Sequence, residues 1–199
     1  MVTSLIAKRV TDKAAHDDIA RTLARAFQNE EACSYIFPDP QDRARRLIAM
    51  FRVIIANDAA AGSIYQTQGG EAITLWRAPG KASGTAWEFA KSLLPFIAAL
   101  GPGIGRGLKI STLIEKHHPA EPFHYLHFAG CSPEHQGKGL GGAAIRAGLM
   151  QADVNHLPAY LETATERNLG LYRNLGFEVI AEWSVTRGLP FWGMLRPSR

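Results

Sequence analysis

The chain has 199 residues, 46% of them hydrophobic and 20% charged, which supplies enough apolar side chains for a sizeable core and excludes a disordered or low-complexity protein. Its formal charge of +4 suits an acidic ligand, but Lys and Arg are scattered rather than gathered into the stripe that nucleic-acid binding uses, so no nucleic-acid partner is expected. Two cysteines, Cys33 and Cys131, lie outside any CxxC spacing and exclude a disulfide framework or a cysteine zinc site; no metal is expected. No apolar run reaches membrane-spanning length, and Met1-Val2-Thr3-Ser4 lacks the basic-then-apolar design of a leader. The expectation is one domain over residues 1–199, cytoplasmic, without a membrane partner.

In chain order, Leu5 to Val10 alternates as a first strand, and Thr11-Asp12 offers a cap to a helix over Ala14 to Asn29, with Ile19, Leu23, Ala26 and Phe27 on one face. Pro38 and Pro40 interrupt the chain, and Asp39 or Asp42 starts a second helix through Leu47, Phe51, Ile54 and Ile55. Its Arg43, Arg45, Arg46 and Arg52 read as a solvated face. Ser63 to Gln68 and Glu71 to Arg77 form a hairpin about Gly69-Gly70, a pair able to take positive φ. Residues 80–120 carry a partly helical apolar segment with Trp87, Phe89, Leu93, Leu94, Phe96 and Ile97, broken at Pro102-Gly103. Phe123 to Cys131 is a strand, Ala143 to Ala152 a helix, Ala159 to Thr163 a strand, and 176–183 and 189–195 are closing antiparallel strands.

The stretch Gln136-Gly137-Lys138-Gly139-Leu140-Gly141-Gly142 joins a strand to a helix start. Glycines there remove the Cβ atoms that would keep a ligand from the backbone, and a helix N-terminus offers unpartnered N–H groups, so the loop is an anion cradle with Lys138 as an added cation. A Walker A loop is excluded because Gly139 follows Lys138 where Ser or Thr is needed. A dinucleotide fingerprint, Gly137-x-Gly139-x-x-Gly142 with Glu162 downstream, is present in letters, but Ser132 to Gln136 separates it from the strand end and too little chain remains for a second half-sheet.

Cys131 to Gly141 resembles the acyl-CoA loop of GNAT-type N-acetyltransferases, a strand, a Pro-containing turn and Gln/Arg-x-x-Gly-x-Gly/Ala. Leu171-Tyr172-Arg173-Asn174-Leu175-Gly176-Phe177 is similar to the family's late helix–strand junction. The resemblance covers about residues 123–196 well and 1–80 more loosely. It implies an α/β fold with a mixed, mostly antiparallel sheet flanked by helices, whose splayed middle strands receive acetyl-CoA. On that resemblance, Ala129, Gly130, Cys131, Gln136, Gly137, Lys138, Gly139, Leu140, Gly141 and Gly142 hold the cofactor. The pantetheine-binding Asn of the commoner pattern is replaced by Thr165, and Asn168 stands in for it.

The reaction implied is direct transfer of acetyl from acetyl-CoA to a small-molecule amine in a ternary complex. An ammonium must lose a proton before it attacks, and the departing thiolate should gain one. Tyr172 matches the family's general acid. Two residues compete as base: Glu162, where several members carry a strand glutamate, and His127, where arylalkylamine N-acetyltransferases carry a histidine. His124 faces the other way if the strand is regular, and a bulge would reverse that inference. Cys131, without an adjacent base, is read as packing rather than as a nucleophile. Tyr35, Ile36, Phe37, Trp183, Phe191 and Trp192 are pocket candidates or core, and the insertion at 80–120 roofs the acceptor site or supplies a subunit contact, with a homodimer left open. A non-catalytic acyl-CoA sensor is the alternative reading, and a dinucleotide-binding protein the third.

Overall fold

A computed structural model describes residues 6–84 and 86–199, and the side chains of 86–89 lie outside what it describes. Leu5, and the side chains of Trp87 and Phe89, are therefore outside the described residues. Seven strands, β1 (Ala7–Arg9), β2 (Gly62–Thr67), β3 (Ala72–Arg77), β4 (His124–Cys131), β5 (Ala159–Thr163), β6 (Glu178–Thr186) and β7 (Leu189–Arg196), form one sheet in the order β1-β2-β3-β4-β5-β7-β6. Every pairing is antiparallel except that of β4 (His124–Cys131) with β5 (Ala159–Thr163). This is the α/β, mixed and mostly antiparallel sheet expected.

The first strand shrinks to β1 (Ala7–Arg9), and the first helix begins with a 3₁₀ turn at Lys13–Ala15 where the Asp12 carboxylate accepts from the Ala14 N–H. It continues as α1 (His16–Ala26), which buries Ile19 and Leu23. A short α2 (Glu31–Ile36), absent from the sequence reading, follows because Glu30 caps the Cys33 N–H. Asp39 then caps α3 (Pro40–Ala61), with Pro40 at the position where its missing donor costs nothing.

The arginines of α3 are not a uniform solvated face. Arg43 is buried and donates to the carbonyls of Phe37, Gln28 and Pro38 and to Ser34 Oγ, so it ties the loops around α2 to the helix. Arg46 pairs with Asp42 and reaches the Ala99 carbonyl, whereas Arg45 and Arg52 do face solvent.

Strands β2 (Gly62–Thr67) and β3 (Ala72–Arg77) form the hairpin, with Gly70 at φ +73°. The insertion is two helices, α4 (Ala86–Leu100) and α5 (Ile104–Lys116), joined by a 3₁₀ turn at Gly101–Gly103. Helix α4 packs on α3, and α5 on α2 and β6 (Glu178–Thr186). The 27 residues Ala90–Lys116 are in fact long and apolar enough, by length and composition alone, to cross a membrane, which corrects the reading that no run is. Here the stretch is interrupted by the 3₁₀ turn at Gly101–Gly103, with Gly101 at φ +49°. Helix α6 (Leu140–Val154) covers the opposite face of the sheet, α7 (Leu169–Asn174) follows β5, and β7 (Leu189–Arg196) inserts between β5 and β6. One core therefore lies between the sheet and α1–α5, and a second under α6 around Ile145, Leu161, Phe177 and Met194.

Candidate active site

Two irregularities in β4 create the site. Its pairing with β5 is limited to His124 with Ala159 and Tyr125 with Tyr160, after which the two strands part. On the other edge, Leu75 pairs with Phe128 while Trp76 pairs with Leu126, so His127 is an extra residue without a partner on β3. Such a bulge turns two successive side chains to one face. His127 and Phe128 accordingly both lie on the α3 side, with ring centroids 4.4 Å apart, Phe128 packing edge-on to Phe27 and Phe51. His124 precedes the bulge and remains on the α6 face, where Asn155 Nδ2 donates to its Nε2 at 2.9 Å and burial holds its pKa below the ordinary imidazole value. The bulge exists, but at a place that leaves the two histidines on opposite faces.

His127 has a partner that sequence reasoning missed. Its Nδ1 lies 2.7 Å from Asp58 Oδ2, and Arg77 Nε donates to Asp58 Oδ1 at 2.7 Å. Asp58 has no solvent exposure. Burial alone would raise its pKa, yet the adjoining His127 and Arg77 outweigh that and hold the carboxyl below its ordinary value. The signal was in the sequence: Asp58 continues the spacing of Phe51, Ile54 and Ile55 on the buried face of α3, where an acid is retained only if paired.

Glu162 stands across the opening on β5. Tyr125 donates its hydroxyl to Glu162 Oε2 at 2.8 Å, and His118, from the end of the insertion, brings Nε2 to 3.1 Å from Oε1. That approach is close enough for an ion pair but misaligned for a hydrogen bond, so both Glu162 Oε1 and His118 Nε2 are buried without one. Burial and the facing Glu162 push the Tyr125 phenol well above its ordinary pKa.

Tyr172, on α7, is buried at the far side of the same cleft, and desolvation followed by the nearby Glu30 carboxyl pushes its pKa up to about 12. It holds its proton throughout the neutral range. Asn168 and Thr165 both line the cleft, but the Thr165 hydroxyl is already given to Glu31.

The glycine loop has the expected backbone. Gly137 (φ +75°) and Gly139 (φ +79°) occupy the left-handed region, and Gly139 caps α6. A Cβ at Gly137 or Gly141 would meet no atom within 4 Å, so the loop presents bare backbone to open space. These N–H groups and the dipole of a 15-residue helix fit a pyrophosphate. The splayed edges of β4 and β5 fit an extended amide-bearing arm between them. Lys138 contributes less than its position implied, since its Nζ donates to the Glu134 carbonyl at 3.0 Å. Gly130 also has a packing reason to be glycine, because a Cβ there would come within 2.7 Å of Leu23 Cδ2. Burial, and then the nearby Glu71 carboxylate, raise the Cys131 thiol pKa. That leaves it a packing residue rather than a nucleophile.

A sequence model of the acetyltransferase (GNAT) family matches residues 25–177. The chain belongs to that family. GNAT proteins are acyltransferases that use acetyl-CoA as donor, and this chain is one of them. An uncharacterized N-acetyltransferase of Schizosaccharomyces pombe is 26% identical over 187 residues, covering 87% of this chain and 74% of the relative. Among solved structures, a histone acetyltransferase HPA2 and related acetyltransferase from Corynebacterium glutamicum superposes with a TM-score of 0.71 at 24% identity, over 98% of this chain and 96% of that one. The arylalkylamine N-acetyltransferase 2 of Aedes aegypti shares the fold with a TM-score of 0.58 at 12% identity, over 96% and 98% of the two chains. In this GNAT chain the insertion contributes Leu93, Phe96, Leu100, Ile110 and Ile114 to the lining of the cleft. Of the aromatic and α2 candidates, Ile36 and Phe191 reach it, Phe37 and Tyr35 pack in the core, Trp183 stacks between His117 and Phe191, and Trp192 faces α6.

Proposed function

We propose that the protein moves the acetyl group of acetyl-CoA to the primary amine of a small molecule, by direct attack in a ternary complex. The observation that carries this reading is the continuity of one cleft of about 940 Å³, walled by the glycine loop and Tyr172 at one end and by His127, Glu162 and the insertion helices at the other. Acetyl-CoA, when bound, supplies the acetyl group as an activated thioester. Main-chain donors of Gln136 to Gly142 would hold its pyrophosphate, and the free edge at Ala129, Gly130 and Cys131, with Asn168, would hold its arm.

His127 is assigned as the base. Its Nδ1–H donates to Asp58, which fixes the tautomer and leaves the Nε2 lone pair for the proton of the incoming ammonium. Glu162 serves differently, because Oε2 is already engaged by Tyr125; its charge draws the ammonium into the opening between β4 and β5. Tyr172, with its proton retained by a pKa of about 12, gives that proton to the departing sulfur. The mosquito fold neighbour is named for arylalkylamines, which supports a small amine as acceptor.

The test is thiol release from acetyl-CoA by the purified protein across a panel of primary amines, with the product weighed by mass spectrometry. Amine-dependent release and a product heavier by one acetyl group are expected. Tight acetyl-CoA binding with no amine accelerating release would overturn the reading.

A further inference from the structure

We propose that the acceptor is a primary monoamine with an extended apolar body, such as a medium-chain alkylamine, and that amines carrying a second cation at the far end are rejected. The proposal rests on the transferase reading above and adds the substrate class. The acceptor limb of the cleft is polar at one end only. His127, Glu162 and His118 converge there, and Glu162 Oε1, on a side chain 4% exposed, has no hydrogen-bond partner. The one approach to Oε1 is the misaligned His118 Nε2 at 3.1 Å, so the buried oxygen accepts no hydrogen bond, a costly state that a ligand ammonium donating to it offsets. Asp58 makes no such demand, since Arg77 already neutralises it.

Away from that end the described side chains of α4 and α5 that line the cleft offer no carboxylate to a second ammonium. Along α5 it runs from Ile114 back through Ile110 to Ile104, and along α4 through Leu100 and Phe96 to Leu93. Ile104 to Ile114 alone spans roughly 15 Å at the rise of a helix. Ser92 donates to Asn57 at 2.9 Å, Arg77 binds Asp58 and the Ala82 carbonyl, and Glu30, which accepts from the Cys33 N–H, lies by Tyr172 rather than on this wall, which leaves the neutral Ser111 hydroxyl between Ile110 and Ile114. Glu115 is the acid of α5, and it lies one turn from His118, at the polar end. At the mouth, Leu93 and Leu108 line the cleft yet are 38% and 49% exposed. Exposed apolar side chains at the rim of a binding cleft indicate an apolar ligand that reaches them.

The experiment compares n-alkylamines from ethylamine to octylamine with α,ω-diamines of equal length, by kcat/KM and, independently of turnover, by calorimetric binding to the CoA-loaded protein. Both measures are expected to rise by about fourfold per methylene, the fold-change that corresponds to roughly 0.8 kcal/mol per buried CH₂. Diamines should fall at least a hundredfold below the matching monoamines. Leu108→Glu, a change at a half-exposed position, should lower the ratio of octylamine to ethylamine rates by tenfold or more. A flat chain-length profile, or diamines bound as well as monoamines, overturns the proposal while leaving the transferase reading intact. Acetyl-CoA binding without acetylation of any amine would instead sink the transferase, and the calorimetric series would still decide the ligand class.

Discussion

Replacing Asp58 with Asn separates the role of this carboxylate in the fold from its role in the chemistry. The side chain is nearly isosteric, so the change removes charge and leaves one amide oxygen to serve two donors, Arg77 Nε and His127 Nδ1, each now 2.7 Å from a carboxylate oxygen. Whichever donor faces the new amide N–H₂ loses its partner. Breaking a buried pair in this way costs about 3–5 kcal/mol of stability. The sign with pH follows from the depressed pKa: the stabilisation is fully present above the unfolded carboxyl value of about 3.9 and is lost as pH falls through the folded value. Urea unfolding of wild type and variant should therefore differ fully from pH 7 down to about pH 5 and begin to converge only as the pH falls below about 4. For the reaction, the wrong tautomer removes a base, and a positioned base contributes roughly 10²–10⁴-fold. At pH 7, and below the unfolding transition, kcat/KM should fall by about a hundredfold or more with the KM for acetyl-CoA little changed. His127→Ala should show a similar loss, and the double variant should be no slower than His127→Ala alone, because Asp58 acts through the imidazole. An Asp58→Asn enzyme that unfolds more readily yet keeps wild-type kcat/KM and pH profile would refute the dyad.

Tyr172→Phe should lower kcat by about tenfold or more, and because the phenol pKa is about 12, the ratio of wild-type to variant rates should stay constant from pH 7 to 10; a ratio that collapses over this range would remove Tyr172 as the acid. Gly141→Ala adds a methyl that meets no protein atom, so it should raise helix stability by about 0.5–1 kcal/mol while weakening acetyl-CoA binding, read by thermal melting and calorimetry; unchanged affinity would place the pyrophosphate elsewhere. Gly148→Ala would set a Cβ 2.1 Å from the Trp76 indole and should cost about 1–3 kcal/mol in urea unfolding, whereas neutrality would mean the ring can move.

The glycine loop, the proposed cofactor half of the site, was legible in the sequence as a loop because it is contiguous. Gly137, Gly139 and Gly141 act through backbone geometry that glycine spacing announces, and the strand before them and helix after them carry their own periodicity. The acceptor half was legible in fragments. His127 and Glu162 were visible as residue types on strands, but their division of labour depends on Asp58 and His118, which come from 69 positions before His127 and from the insertion. Helix α2 escaped notice because six residues with one half-turn of apolar spacing carry no periodic signal, and Arg43 was misread because a buried arginine satisfied by backbone carbonyls looks, in sequence, like any surface arginine.

The two halves should respond to mutation in different ways. The glycine loop contributes bare N–H groups next to open space, so side-chain changes there alter ligand affinity and leave the fold largely as it is. The acceptor half is wired into the core: Asp58 of α3 is neutralised by Arg77 of β3 and oriented onto His127 at the β4 bulge, so three elements meet at one buried charge. Removing Arg77, as in Arg77→Met, should leave that charge supported by His127 alone and destabilise the sheet beside the bulge, even though Arg77 touches no substrate in the proposed reaction. If the proposed reaction holds, substitutions at the insertion's lining residues Leu93, Phe96 and Leu108, which make no hydrogen bond to Asp58 or His127, should alter acceptor choice without disturbing that pair. The apolar wall meets the dyad's surroundings at Ser92, which donates to Asn57, and at the Ala82 carbonyl, which accepts from Arg77, so changes confined to Leu93, Phe96 or Leu108 are the ones expected to spare the buried charge.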